Sequence, residues 1–291
     1  MGLQLPSRAA APLKRVAGTA VLGLTLLLLG ACSSEDKDSL GRLAMPSPAS
    51  EQAPATFELW RWAWVAAMAV GVIVWGLIFF AIWRFRRRSE DQVPVQTRYN
   101  VPLEIFYTIA PILMVIVFFY WTVTVQNVMT KIEDDPDVTI DVVGQQWSWT
   151  FNYTGQGEGG TTPYTVGTTS ERPTLYLPVD QTVQFNLQSP DVIHSFGVPV
   201  FLTKLDVIPG RINELQVTPT EEGTFNGYCY ELCGTYHSRM LFTVEVVSAE
   251  EYAAHLEELQ AQGSVADEPL LGGSVADTQA GLDDEEEGGQ E

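Results

Sequence analysis

Cysteine and histidine are both scarce, three of each in 291 residues. Three cysteines over that length cannot staple a disulfide-built domain, so the chain must fold by burying apolar surface. Cations are scarce too. Lys and Arg number 16 against 36 Asp and Glu, the net charge is −20, and neither Lys nor Arg occurs after Arg239. A nucleic-acid backbone is bound by clustered cationic side chains, so nucleic acid is excluded as a partner. A basic protein partner, or solubility alone, suits such an acidic chain. Against these shortages stands an excess: hydrophobic residues make up 46% and mean hydropathy is +0.05, too apolar for an ordinary soluble chain this acidic. Apolar and acidic residues must occupy different segments, and they do.

Residues 1–31 read as an export signal. Lys14 and Arg15 precede a charge-free stretch from Val16 to Ala31, at about 16 residues short for a membrane span. It ends Leu29-Gly30-Ala31-Cys32, which is similar to a bacterial lipobox, where Cys32 would be lipidated and become the mature N-terminus; an uncleaved anchor helix is the alternative. Residues 32–55, rich in Ser, Pro and Ala, are expected to be a flexible linker. A transmembrane hairpin is expected over 56–130. Its first span, Trp62 to Trp83, carries no charge and has tryptophans at both ends; its second runs from Ile105 to Val125. About 22 residues at about 1.5 Å each cover a hydrocarbon core of about 30 Å. Arg84, Arg86, Arg87 and Arg88 follow the first span, and the positive-inside rule makes that end cytoplasmic. Everything after about residue 130 is then extracytoplasmic. Pro111, inside the second span, is tolerated in a membrane helix whose neighbours re-satisfy the freed carbonyl.

From Val138 the pattern turns to short β-rich runs: 138–143, 174–177, 183–187, 212–217 and 241–246, separated by Pro, Gly and Asp turns. Such spacing predicts a β-sandwich or barrel over 131–250. The Gly/Thr-rich stretch 154–172 reads as a surface loop. Over 251–291 the expectation is a short helix followed by an acidic, disordered tail. The fold class is thus membrane-anchored all-β, a two-helix hairpin followed by a sandwich.

The chemistry is concentrated in Cys229-Tyr230-Glu231-Leu232-Cys233-Gly234-Thr235-Tyr236-His237-Ser238-Arg239-Met240. Thiolate, imidazole and thioether together favour copper over hard cations. Two cysteines four apart can bridge two metals, leaving one histidine and one weak ligand for each. His237 is local, and a second histidine must come from elsewhere. His194, at a strand end, is the plausible partner; His255, in the polar run Glu250–His255, reads as a solvated surface residue. A disulfide between Cys229 and Cys233 would leave His237 and Met240 unexplained, and structural zinc would leave Met240 so.

This segment resembles the CuA-binding loop of the cytochrome c oxidase subunit II family, and the resemblance extends over about residues 57–250. It implies a cupredoxin fold for the outer domain. It implies two copper ions held by His194, Cys229, Cys233, His237 and Met240 with the backbone carbonyl of Glu231. The Glu231 carboxylate would reach a magnesium ion shared with the catalytic subunit. Trp147, in Gly144-Gln145-Gln146-Trp147-Ser148-Trp149, would receive the electron from cytochrome c, while Trp149 packs the core. Lys204 and Arg211 would lie against the catalytic subunit. Glu104 would stand at the mouth of a proton channel; a plain helix cap is the bland alternative. Asn152 falls where many relatives carry an acid that docks cytochrome c, whereas Asp191 keeps one. The implied partners are oxidase subunits I and III and either cytochrome c or a bound dihaem cytochrome of a bc complex in a supercomplex. Haem would reside only in the partner subunit, where oxygen is reduced to water and protons are pumped. The implied location is a bacterial cell membrane. A quinol oxidase subunit would lack these ligands, and a copper carrier would need neither two bridging thiolates nor Glu104.

Overall fold

The structure, a computed structural model, describes residues 34–272. The expected export signal, the expected lipidation at Cys32 and the acidic tail from residue 273 lie outside the described residues. The described residues fall into two units that divide between Pro46 and Ser47. The described part of the first contains helix α1 (Ser34–Gly41).

The flexible linker expected over 32–55 is corrected at both ends. Besides α1, residues 49–53 are fixed on the outer domain. Ala49 N–H donates to Val200 O (2.8 Å) and Glu51 N–H to Thr218 O (3.0 Å). Ala49, Ser50 and Ala53 are buried. Their small side chains let this backbone lie against Pro219, opposite which Ser50 forms an isolated bridge. Pro54 then opens helix α2 (Ala53–Arg84), where its missing N–H costs nothing.

Helices α2 and α3 (Val101–Met129) have 32 and 29 residues, or about 48 and 43 Å at 1.5 Å per residue, longer than the charge-free runs within them. Val72, Trp75, Phe79 and Ile82 of α2, and Leu113, Val115 and Phe119 of α3, are all exposed. Helices apolar on every side belong in a membrane or a large core, and both are long and apolar enough to cross one. Asn100 caps α3: its Oδ1 accepts from Leu103 N–H (3.3 Å) while its own N–H donates to Glu104 Oε1 (2.9 Å). Glu104 therefore makes the capping contact.

Among the described residues, eleven strands follow: β1 (Val138–Gln145), β2 (Ser148–Tyr153), β3 (Thr162–Val166), β4 (Thr174–Pro178), β5 (Val183–Gln188), β6 (His194–Val198), β7 (Thr203–Val207), β8 (Asn213–Val217), β9 (Gly223–Cys229), β10 (Leu241–Val247) and β11 (Val265–Ala266). They form two sheets, ordered β11-β3-β2-β1-β5-β8 and β4-β10-β9-β6-β7. The pairs β1/β5 and β4/β10 are parallel and the others antiparallel. Alternation decides the inner face: Val183, Phe185 and Leu187 of β5 point inward, as do Phe242, Val244 and Val246 of β10. Phe196 and Phe242 stack between strands at 5.0 Å, and Trp149 packs edge-on to both. Each such side chain contributes about 1.5–3 kcal/mol by leaving water. The molecule is the expected membrane-anchored hairpin followed by a cupredoxin-like β-sandwich.

Two further expectations are corrected. The surface loop read over 154–172 contains β3, whose Thr162 and Pro163 are buried. Nor does order end with helix α4 (Ala249–Ala261). Tyr252, Leu256 and Leu259 bury that helix's inner face, which returns the chain to the edge of β3. There Val265 and Ala266 pair with Pro163 and Thr162. Beyond them, Leu270 N–H donates to Asn152 Oδ1 (2.8 Å) and Asn152 Nδ2 donates to Leu270 O (3.1 Å).

Candidate metal centre

Three segments meet at one end of the sandwich: the turn between β1 and β2, the start of β6, and the long loop between β9 and β10. Pairing of β6 with β9 sets Phe196 opposite Cys229, so His194 and the first cysteine share an edge. The loop then doubles back through a 3-10 turn at His237–Arg239 and delivers Met240 beside β9, where Cys229 N–H donates to Met240 O (3.2 Å).

The soft donors converge. Cys229 Sγ lies 3.9 Å from Cys233 Sγ and 3.9 Å from His194 Nδ1. Cys233 Sγ lies 3.5 Å from His237 Nδ1 and 3.6 Å from Met240 Sδ. The backbone carbonyl of Glu231 lies 3.3 Å from Cys229 Sγ. His194 and Met240 are fully buried, Cys233 and Cys229 nearly so, and His237 is half-buried. Both cysteines are free thiols, so no disulfide occupies the place. The ligand atoms of His194, Cys229 and Cys233 all lie within 4.8 Å of one another, the one such cluster among the described residues. A thioether buried against two thiols and two imidazole nitrogens fits copper.

The shell behind these donors is equally ordered. His194 Nε2 lies 2.9 Å from Asp191 Oδ1; a proton held there leaves Nδ1 free to face the sulfurs. Asp191 Oδ2 accepts from Gln146 N–H (2.7 Å). Gln146 Nε2 and Trp147 Nε1 both donate to Cys233 O, at 2.6 and 3.2 Å. Trp149 Nε1 donates to Met240 O (3.4 Å). Gly144 makes room for this arrangement, since a Cβ there would come within 3.0 Å of the Trp149 ring and 3.3 Å of His194 Cγ.

The electrostatics follow from these contacts. Burial disfavours charge on His194, but hydrogen bonds to Asp191 and Cys229 outweigh it and hold the ring above its ordinary value. Burial likewise opposes ionisation of Asp191 and Cys229. Hydrogen bonds from His194 and backbone groups reverse it in both, lowering the carboxyl and the thiol. Cys233 moves the other way, raised by burial and by the neighbouring Cys229.

The remaining candidates lie around or apart from this nest. Trp147 is half-buried at its rim, edge-on to Tyr236 at 5.1 Å. Glu231 presents its side chain to solvent. Lys204 pairs loosely with Asp206 (3.8 Å), and Arg211 is exposed. Asn152 is fully buried under Leu270. Glu104 belongs to the hairpin, not to this nest. His255 is no solvated surface residue. It stacks on Tyr176 at 3.7 Å, and its Nε2 is buried with no hydrogen-bond partner. Sequence reasoning did not find the roles of Gln146 or Trp149 around the ligands. The one available signal was Asp191, three residues before His194 in a Ser-Pro-Asp turn.

Two family models match the chain. The periplasmic domain of cytochrome c oxidase subunit II covers residues 138–247, and its transmembrane domain covers residues 39–124. The "probable cytochrome c oxidase subunit 2" of Streptomyces avermitilis is 45% identical over 275 residues, covering 83% of this chain and 85% of the relative. The cytochrome c oxidase subunit 2 of Corynebacterium glutamicum is 35% identical over 296 residues, covering 81% and 82%. Among solved structures, the periplasmic domain of subunit II from Bradyrhizobium japonicum is 30% identical, covers 45% of this chain and 99% of its own, and has a TM-score of 0.41.

Proposed function

The chain belongs to the cytochrome c oxidase subunit II family, and we propose that within this terminal oxidase it receives electrons from a cytochrome c and relays them to haem a in subunit I. The observation that carries the reading is the convergence of two thiols, two imidazole nitrogens, a thioether and a carbonyl within one buried nest. When bound, two copper ions supply one-electron transfer without bond making. The residues supply the rest. Cys229, Cys233, His194, His237, Met240 and the Glu231 carbonyl would hold the copper. Rigid strands on either side limit movement of these donors, which keeps the reorganisation accompanying each transfer small.

Trp147 is the residue at which the electron arrives. Its indole is partly exposed, and it reaches the Cys233 carbonyl through a direct hydrogen bond. The donor is soluble cytochrome c or a dihaem cytochrome bound in a supercomplex. The Glu231 carboxylate, exposed beside the nest, takes part in a magnesium site completed by subunit I. Subunit III completes the complex. Glu104, at the basic-loop end of the hairpin, serves proton uptake for the pump, with its contact to Asn100 N–H as the resting arrangement. The β-domain lies on the extracytoplasmic side of a bacterial cell membrane, opposite the Arg84–Arg88 loop. Cys32 is the lipidated N-terminus of the mature chain.

Copper content tests the reading. The full chain, purified in detergent and dialysed free of loose metal, is expected to retain two coppers per molecule. One copper per molecule, or zinc retained in preference, would contradict it.

A further inference from the structure

Helices α2 and α3 do not close on each other at their β-domain end. An apolar groove of about 700 Å³ lies between them, walled by Ala63, Ala66, Phe118 and Val128 among others. Ala63, Ala66 and Phe118 also wall a second stretch of about 470 Å³, which runs on to Gly71 and Val74. Small residues leave this space: a side chain at Gly71 would meet nothing within 4 Å. From Trp62, which lines the first stretch, to Val74 is about 18 Å at about 1.5 Å per residue. That is close to one leaflet of a hydrocarbon core about 30 Å thick.

At the β-domain end the chemistry changes. Val128 also borders a polar pocket of about 350 Å³, where the segment before α2, the end of α3 and the sheet of β5 and β8 meet. Gln52, Asn127 and Thr218 offer amides and a hydroxyl there, and the charges are Lys131 against Glu51 and Glu133. The walls are fastened. Gln216 Oε1 accepts from Glu133 N–H and Gln216 Nε2 donates to Glu133 O, both at 2.8 Å. Gln52 Oε1 accepts from Thr218 N–H (3.2 Å). Lys131 Nζ reaches Glu133 Oε1 (2.7 Å), but both side chains are more than half exposed, and so exposed a pair is readily exchanged for another partner.

A cavity that is apolar for one leaflet's depth and polar at one end has the form of a lipid, an acyl chain below a headgroup. A helix of a neighbouring subunit would fill the apolar part alone. The charges choose the headgroup. Two carboxylates against one ammonium oppose a net anion. A quaternary ammonium is best held by aromatic faces, and no aromatic ring lines the polar pocket among the described residues. An ethanolamine headgroup brings a phosphate for Lys131 and a primary ammonium whose three donors suit Glu51 and Glu133. We propose that the hairpin binds one phosphatidylethanolamine in the leaflet facing the β-domain, with an acyl chain between α2 and α3 and the headgroup across Lys131, Glu51 and Glu133. The site is independent of the copper nest and requires only that the hairpin spans the membrane.

The test uses the oxidase purified with this chain in place and set in lipid nanodiscs. Each disc preparation carries a small fraction of one probe with a photoreactive acyl chain: phosphatidylethanolamine, phosphatidylglycerol or phosphatidylcholine. Cross-linked peptides are read by mass spectrometry. The phosphatidylethanolamine probe is expected to label α2 and α3 around Ala66 and Phe118 about fivefold more than either other probe. Lys131→Gln should remove most of that preference, and Ala66→Trp, which fills the groove, should abolish labelling of both helices there. Equal labelling by all three probes, or a preference untouched by Lys131→Gln, would show ordinary surrounding lipid and overturn the site. A preference for phosphatidylglycerol would overturn the headgroup assignment. Absence of labelling by any probe would mean that another subunit covers the groove, which also overturns it. If Ala66→Trp fails to assemble, Lys131→Gln, an exposed change outside the helices, decides alone.

Discussion

His194 and His255 sit in different parts of the same domain, and both are imidazoles held by aromatic rings. Trp149 lies 6.2 Å from His194, edge-on; Tyr176 lies 3.7 Å from His255, stacked. Burial opposes charge on both, yet they move in opposite directions. His194 is raised because Asp191 and Cys229 bond its two nitrogens. His255 is lowered because burial dominates, with only the Glu258 charge opposing it. A buried histidine is therefore not a site by itself. His194 becomes part of one because soft donors converge on Nδ1 and a carboxylate waits behind Nε2, whereas His255 packs a helix onto a sheet.

The largest effect should come from breaking the first environment. Cys229→Ser removes one of the two thiols proposed to hold copper and is expected to abolish the two-copper signal, whereas His255→Leu leaves it intact; EPR of both variants decides. Should His255→Leu also erase the signal, the two histidines would not be separable. A smaller effect tests whether the chain near His255 is as ordered as the chain near His194. Asn152→Ala leaves Leu270 N–H and O without their buried partner and should cost about 1–3 kcal/mol in denaturant unfolding, with the copper spectrum unchanged. No loss of stability would mean that residues 264–272 are not docked. The smallest effect is a slope. The neutral His255 ring is favoured in the fold, so its contribution is complete above about pH 6.5 and is lost as pH falls below that value. Between about pH 7.5 and 5.5 the wild type should lose more stability than His255→Leu. Parallel curves would show that the ring is not desolvated in solution.

These contrasts also explain what could be read from sequence. The convergence of the proposed copper ligands was legible because five of them, from Cys229 to Met240, lie in one loop, and soft donors at that density have few other uses. The hairpin was legible because its apolar runs follow composition alone. His255 was misread because its run is polar. Helical spacing would have placed it on the side of Tyr252 and Leu259, three before and four after, which bury the inner face of α4. Strand β3 and the segment at 265–270 were invisible because Thr162–Val166 is short and sits in Gly/Thr-rich sequence. It is a strand only because β2 on one side and β11 on the other supply partners. The contact between Gln146 and the ligand loop lay beyond sequence reasoning for a related reason: Gln146 reaches Cys233, 87 residues away, through its side-chain amide, and no local pattern encodes that contact.

The central claim is that the loop and His194 hold two coppers sharing one electron. EPR of the full-length protein, loaded with copper in detergent and oxidised by one electron, tests it most directly. A seven-line hyperfine pattern from two equivalent copper nuclei is predicted. A four-line pattern from a single copper would contradict it.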